Sequence, residues 1–281
     1  MIWGIARYEM KLQLRSLVFW LALVLVGLMF KSELWDEPLR SAQHTVSYRQ
    51  DPVRYLNFYS DPTGVAKEME RRLVEGIPST AFADTWADRM QITFAFATLF
   101  AAAFVFERDR LSKSQEAVAT RPVSSRDYLI GKWLGVTLPV LGAAFVSVLA
   151  AIGCHIYFQE MLGTPWSVGP FLKTYFVLMV PTVAYSAALV LALTAWLPRA
   201  VIAIPLFLIY EVVGGVAPLR PHGTFDITMF IARTVNLDGW LWADGLPVLL
   251  LNRLTYVALT GLLLLLAARL YGRRLRRGEA A

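Results

Sequence analysis

The sequence predicts an all-α membrane protein. Its parts are six transmembrane helices, an N-terminal interfacial helix, a helical cytoplasmic insert and a small extracytoplasmic cap. Three observations carry this reading. The 281 residues are 57% hydrophobic and only 17% charged, with a mean hydropathy of +0.50, which lies outside the usual range of soluble domains. Six apolar runs approach the roughly 17–25 residues that a helix needs to cross a hydrocarbon core of about 30 Å. Finally, basic residues cluster at the ends of those runs and favour one side of the membrane.

The elements follow in chain order. Residues 1–15, MIWGIARYEMKLQLR, place Arg7, Lys11 and Arg15 at four-residue spacing. Trp3, Ala6, Met10, Leu14 and Leu17 fall beside that basic stripe, the pattern of a helix lying at the membrane interface. The first span is Ser16–Phe30, short enough that Arg15 and Lys31 must snorkel to the head groups. No small-residue cleavage site follows Phe30, so the span is expected to be retained.

Residues 31–89 form an extracytoplasmic segment that can fold as a small cap. Its best element is DPTGVAKEMERRLVEG, with Asp61 to cap, Pro62 at the first helical position and Gly76 at the stop. The stretches HTVSYRQ and VRYLNFY, on either side of Asp51–Pro52, are expected to pair as a hairpin. IPSTAFADTWADR then leads as a helix into the second span, 90–106.

After the cytoplasmic insert 107–132 come the third span, 133–156, the fourth, 174–197, and the fifth, 200–217. A second outer segment, 218–245, contains the apolar piece Ile227–Ala232, too short to cross and expected to dip into the bilayer and return. Trp240 and Trp242 suit the interface there. The sixth span, 246–268, runs into a basic cytoplasmic tail, 269–281.

Six spans put both termini on the side of the 107–132 insert. That side collects Arg7, Lys11, Arg15, six basic residues of the insert, Arg199 and the five arginines of the tail, fifteen of the 27 in the chain. Most of the rest fall in 31–89, where ten acidic residues offset them and where length overrides charge. The termini are therefore expected in the cytoplasm of a cell, a bacterial inner or plasma membrane being crossed. The net charge of +6 is accounted for by residues flanking spans and facing anionic lipid, so no nucleic-acid partner is expected.

The chain carries no catalytic motif. There is no GxxxxGK[ST] phosphate loop, since Gly131–Lys132 lacks the upstream glycine, and no HExxH, GxSxG or CxxC. His44, His155 and His222 are widely separated and are read as satisfied polar groups rather than zinc ligands. Cys154 stands alone, which excludes an intrachain disulfide. No catalytic residue, metal or cofactor is assigned to this chain.

Two charges within spans call for a partner. Glu211 precedes Pro218 by seven residues and Arg253 follows Pro247 by six, so in adjacent antiparallel helices both would lie about 10 Å from the outer end. An unpaired charge at that depth costs a few kcal/mol, and pairing relieves it. A structural pair and a charge on a substrate path both fit.

The insert is the most informative stretch. Glu107 to about Thr120 can continue the second span as a cytoplasmic helix, Arg121–Pro122 breaks it, and Ser124 with Asp127 starts a new helix into the third span. Reconnecting two helices takes about two to eight residues, and this loop is about three times longer. Glu107–Arg108, then Arg121-Pro122-Val123-Ser124, then Gly131–Lys132 resemble the "ER…RPVSR…GK" pattern of type-two ABC exporter permeases. The resemblance extends to the N-terminal amphipathic helix, six spans and re-entrant segment before the sixth.

It implies an exporter subunit that pairs with a second permease, identical or homologous, and carries two separate cytoplasmic ATPase subunits that bind ATP and magnesium. The insert would then be the coupling helix, through Glu107, Arg108, Arg110, Leu111, Lys113, Arg121, Pro122, Arg126, Gly131 and Lys132. Gly131, Gly135 and Gly142 would allow close helix approach on the third span. The long 31–89 segment departs from compact lipid- and polysaccharide-exporting members, so their substrates do not carry over. The alternative is a membrane scaffold or assembly factor of the same fold, with the outer cap binding a protein partner.

Overall fold

The structure, a computed structural model, describes residues 1–30, 79–111, 123–162, 166–197, 202–209 and 246–277. Among these residues all regular structure is helical. Helix α1 is Ile2–Arg15 and α2 is Leu17–Phe30, separated at Ser16, whose extended backbone (ψ 124°) ends the first helix. Helix α3, Ser79–Ala103, breaks at Phe104 and resumes as α4, Val105–Leu111. Helix α5, Ser125–Leu162, is 38 residues long. Ser124 Oγ caps it by accepting the Asp127 N–H at 3.1 Å, satisfying one of the free donors of the first turn.

Helix α6, Gly169–Thr174, passes through a π-helical turn, Tyr175–Met179, into α7, Val180–Trp196. Pro181 explains the wide turn: it has no N–H to give the preceding turn, and the hydrogen-bond ladder resumes beyond it. After a helical stretch at 202–209 the last helix, α8, is Leu246–Arg277. Among the described residues four stretches are long and apolar enough to cross a membrane: Met90–Asp109, Ser125–Phe158, Gly169–Trp196 and Leu250–Arg273. The expected hairpin, the Asp61–Gly76 helix, the re-entrant segment with Ile227–Ala232, and Glu211 all lie outside the described residues.

Helix α3 is the centre of the bundle, packed against α2, α5 and α7. Its Trp86, Met90, Phe94 and Leu99 are fully buried. Between helices in lipid the apolar effect gives little drive, so close packing must hold them. Small residues supply it, among them Ala83, Ala87, Ala95, Ala102 on α3 and Ala187, Ala188, Ala195 on α7. Large apolar side chains instead face outward at helical spacing, as Leu250, Leu254, Val257, Leu262 and Leu266 do on α8. Buried hydroxyls return their protons to their own helix: Thr98 to the Phe94 carbonyl, Ser186 to Thr182, Thr194 to Val190 and Thr260 to Tyr256.

Polar cross-links fix the helix directions. Trp133 Nε1 donates to the Ala184 carbonyl and Tyr175 OH to the Leu141 carbonyl, both at 3.0 Å. As one number rises the other falls, so α5 runs antiparallel to this segment. Arg253 Nη1 donates to Thr182 Oγ1 at 3.2 Å, and the rings of Tyr256 and Tyr185 meet edge-on at 4.8 Å. Here both numbers rise together, so α7 and α8 run parallel.

Candidate functional site

The site grows from the face that α1 buries. Ala6, Glu9 and Gln13 are its buried residues, one stripe at three- and four-residue spacing. Trp3, Leu14 and Leu17, from the apolar side of the interfacial helix, are exposed, and Arg7, Lys11 and Arg15 are exposed as well. The sequence pattern marked the side that meets lipid and gave no sign that the polar stripe packs against the bundle. In a membrane bundle the surroundings are as apolar as the core, so the apolar side can turn outward and the polar side inward.

Two glycines of α5 let α1 come close. A Cβ on Gly131 would sit 2.7 Å from Ile5 Cβ and 3.1 Å from the Ile2 carbonyl oxygen. On Gly135 it would overlap Glu9 Cβ and sit 3.0 Å from the Ala6 carbonyl oxygen. The third glycine does not behave this way: a Cβ on Gly142 meets nothing within 4 Å. Close approach is confined to the turns of α5 that face α1.

That approach delivers Glu9 into a cluster of charges. Lys132 Nζ lies 2.6 Å from Glu9 Oε2 and 2.7 Å from Asp109 Oδ2. Arg108 Nη2 is ion-paired with Glu9 Oε1, and Tyr128 OH donates to Asp109 Oδ2. Gln13 Nε2 donates to Glu9 Oε1 at 3.2 Å and to the Ala101 carbonyl at 2.9 Å, beside the break between α3 and α4. Glu9, Asp109 and Lys132 are buried and Arg108 is partly exposed. Two acids meet two bases, so the buried charge balances, as burial of ionised groups requires.

Aromatic rings extend the cluster to the last helix. Tyr128 and Tyr271 stack at 5.1 Å, and Phe106 stacks on Tyr271 at 5.4 Å. The root of the insert is therefore cross-braced. Its entry, through Phe106, Arg108 and Asp109, is joined to its exit, through Tyr128 and Lys132, and both are joined to α1 and α8. The cluster holds no nucleophile beside a base, and the described residues contain no group of three metal-ligating side chains. Its chemistry is mechanical: it ties four helices at one end of the bundle.

The residues singled out in the sequence divide accordingly. Arg108, Gly131 and Lys132 belong to the braced root, facing inward. Glu107 is half-buried and Arg126 is exposed. Arg110 and Leu111 continue α4, with side chains outside the described residues, as are Lys113, Arg121 and Pro122. Arg253 is buried against Thr182 and lies over the Tyr256 ring at 5.6 Å. His155 meets Ser79 Oγ at 3.0 Å between the rings of Phe82 and Phe171, which agrees with a satisfied polar contact.

Glu9 and Asp109 escaped the sequence reading. The available signal was that Glu9 is the lone acid of α1 and shares a stripe with Ala6 and Gln13. Asp109 carried none, being one charge among several in the insert. A comparison with protein families matches residues 3–221 to the one described as ABC-2 family transporter protein. A comparison with curated proteins returns no match.

Proposed function

The chain belongs to the ABC-2 transporter family, and from that premise we propose that it is the membrane-spanning permease subunit of an ATP-driven exporter. The permease works as a pair with a second permease subunit. Two separate cytoplasmic ATPase subunits bind ATP and magnesium and seat on the 107–132 insert. The observation that carries the coupling role is the cross-bracing of the insert's root by Glu9, Arg108, Asp109 and Lys132. A push on a loop with a loose root would dissipate in the loop. Here it passes together to the second and third spans, to α1 and to α8.

Six crossings are supported by parity. Helices α7 and α8 run parallel, which supports an odd number of crossings between Trp196 and Leu246, and the apolar run 200–217 is the segment we assign to one of them. Gln13 ties the start of α2 to the end of α3, and α2 packs along α3. The chain leaves that end in α2 and returns to it in α3, which supports α2 as the first crossing. The insert and both termini share the cytoplasmic side, and the outer segments 31–89 and 218–245 the other.

Within the insert, Glu107, Arg110, Leu111, Lys113, Arg121, Pro122 and Arg126 form the docking surface, while Arg108, Gly131 and Lys132 anchor it. The test is co-purification of the ATPase with Leu111→Asp, which sets a charge against an apolar contact, and with Arg126→Glu. Both should lose the partner while the membrane subunit stays folded. The Arg126→Glu loss should depend on salt, since exposed charges are screened over about 8–10 Å. Full retention of the ATPase and of coupled hydrolysis in both variants would refute this reading of the insert.

A further inference from the structure

Beyond the elbow at Ser16, α2 and α5 diverge and leave an open cleft of about 700 Å³, within the range of small-molecule sites. One wall carries Leu23 and Gly27 and the other Gly142 and Val146, with Leu14 and Trp20 closing the end at the elbow. Trp20 is pinned there, its Nε1 donating to the Leu14 carbonyl at 2.8 Å. Ser147 also lines the cleft, but its hydroxyl donates to the Ala144 carbonyl at 2.8 Å. The surface offered is apolar.

Its dimensions and its rim identify an occupant. The α5 wall runs from Pro139 to Ala150, about 17 Å at a rise of 1.5 Å per residue. That is about the depth of one leaflet of a hydrocarbon core of about 30 Å. At the closed end, Lys11 and Arg15 are exposed, and Lys11 shares a helix face with Leu14, three residues on. Glu9, the single acid of α1, is buried in the charge cluster. The rim is therefore cationic and the cleft below it greasy.

We propose that this cleft holds an acyl chain of an anionic phospholipid, with the head group on Lys11 and Arg15. Such a lipid would fill the gap between the first and third spans and secure α1 from the side opposite the charge cluster. Basic residues at the surface attract anionic head groups, and the chain adds an apolar contact along the full depth of the leaflet. The site depends only on the chain's being embedded in a membrane and not on the exporter reading.

The glycines supply a clean test, because a Cβ on Gly27 or Gly142 meets nothing within 4 Å. The full-length chain is reconstituted in vesicles of equal phosphatidylglycerol and phosphatidylcholine, extracted gently, and weighed intact with its retained lipid. The parent chain should retain phosphatidylglycerol in preference. Gly142→Leu and, independently, Gly27→Leu should fill the cleft and lower retention about tenfold, a leucine displacing roughly two methylenes of chain. Lys11→Gln with Arg15→Gln should keep a bound lipid but lose the preference for phosphatidylglycerol. Undiminished retention in both glycine variants would overturn the proposal. So would a change of oligomeric state in those variants with lipid unchanged, which would make the cleft a contact between copies of the chain. An unchanged head-group preference in the double glutamine variant would refute the role of Lys11 and Arg15.

Discussion

At the scale of single residues, the three buried charges Glu9, Asp109 and Lys132 and the partly exposed Arg108 persist because each is matched. Lys132 touches both acids, so removing either leaves it partly supported, whereas removing Lys132 leaves Glu9 and Asp109 facing each other. Breaking a buried pair from one side costs about 3–5 kcal/mol. Glu9→Gln should fall at the lower end, since Arg108 is partly exposed and can turn to water. Lys132→Met should cost more, and the two together less than their sum. Thermal unfolding in mild detergent reads all three, and strictly additive losses would show that the charges do not act as a cluster. The glycines give a second contrast. Gly135→Ala must push Glu9 aside, at about 1–3 kcal/mol for overpacking. Gly142→Ala meets open space and should be neutral or stabilising by up to about 1 kcal/mol through helix propensity.

At the scale of elements, α1 is held by packing on α5 and by the cluster, with little contact to α2. Gly135→Leu should therefore release α1 as a unit. Its exposed Arg7, Lys11 and Arg15 would then be cut faster by trypsin, because cleavage follows the population of the locally opened state. Gly153→Leu, on the same helix but away from the cleft and with open space for a Cβ, should leave the rate unchanged, and equal rates in the two variants would mean that α1 is not docked through Gly135. The α1 case also shows what the sequence could and could not reveal. Long apolar helices were legible because crossing a bilayer sets a minimum length of greasy chain, and the start of α5 was legible from Ser124 and Asp127 because capping is local chemistry. The inward face of α1 was not, since the apolar periodicity marks the side that meets lipid and leaves the side that meets protein unspecified. The pairing of Glu9 with Lys132 joins residues far apart in the chain, and no local pattern encodes it. The π-turn at Tyr175–Met179 likewise needed the ladder itself, although Pro181 hinted at an interruption.

At the scale of the whole molecule, the directions of the helices make orientation testable with two residues. The antiparallel α5 and α7 place their connection, with Trp166 exposed in it, at the end of the bundle opposite Ser124, which is also exposed. The basic residues gather at the Ser124 end, around the insert, α1 and the tail, and positive charge marks the cytoplasmic side. Cys154 is buried and is the chain's one cysteine, so Cys154→Ser gives a silent background for labelling. In intact cells, Trp166→Cys should react with a membrane-impermeant thiol reagent and Ser124→Cys should not. After permeabilisation both should react, which separates a shielded thiol from one on the far side. Labelling of Ser124→Cys alone in intact cells would invert the molecule and move the insert, with its braced root, away from any cytoplasmic ATPase. Labelling of both would mean that the α5–α7 pair does not cross the membrane, against the apolar length of Ser125–Phe158 and Gly169–Trp196. The expected pattern, Trp166 outside and Ser124 inside, would set the Glu9–Lys132 cluster on the face where the proposed ATPase subunits dock.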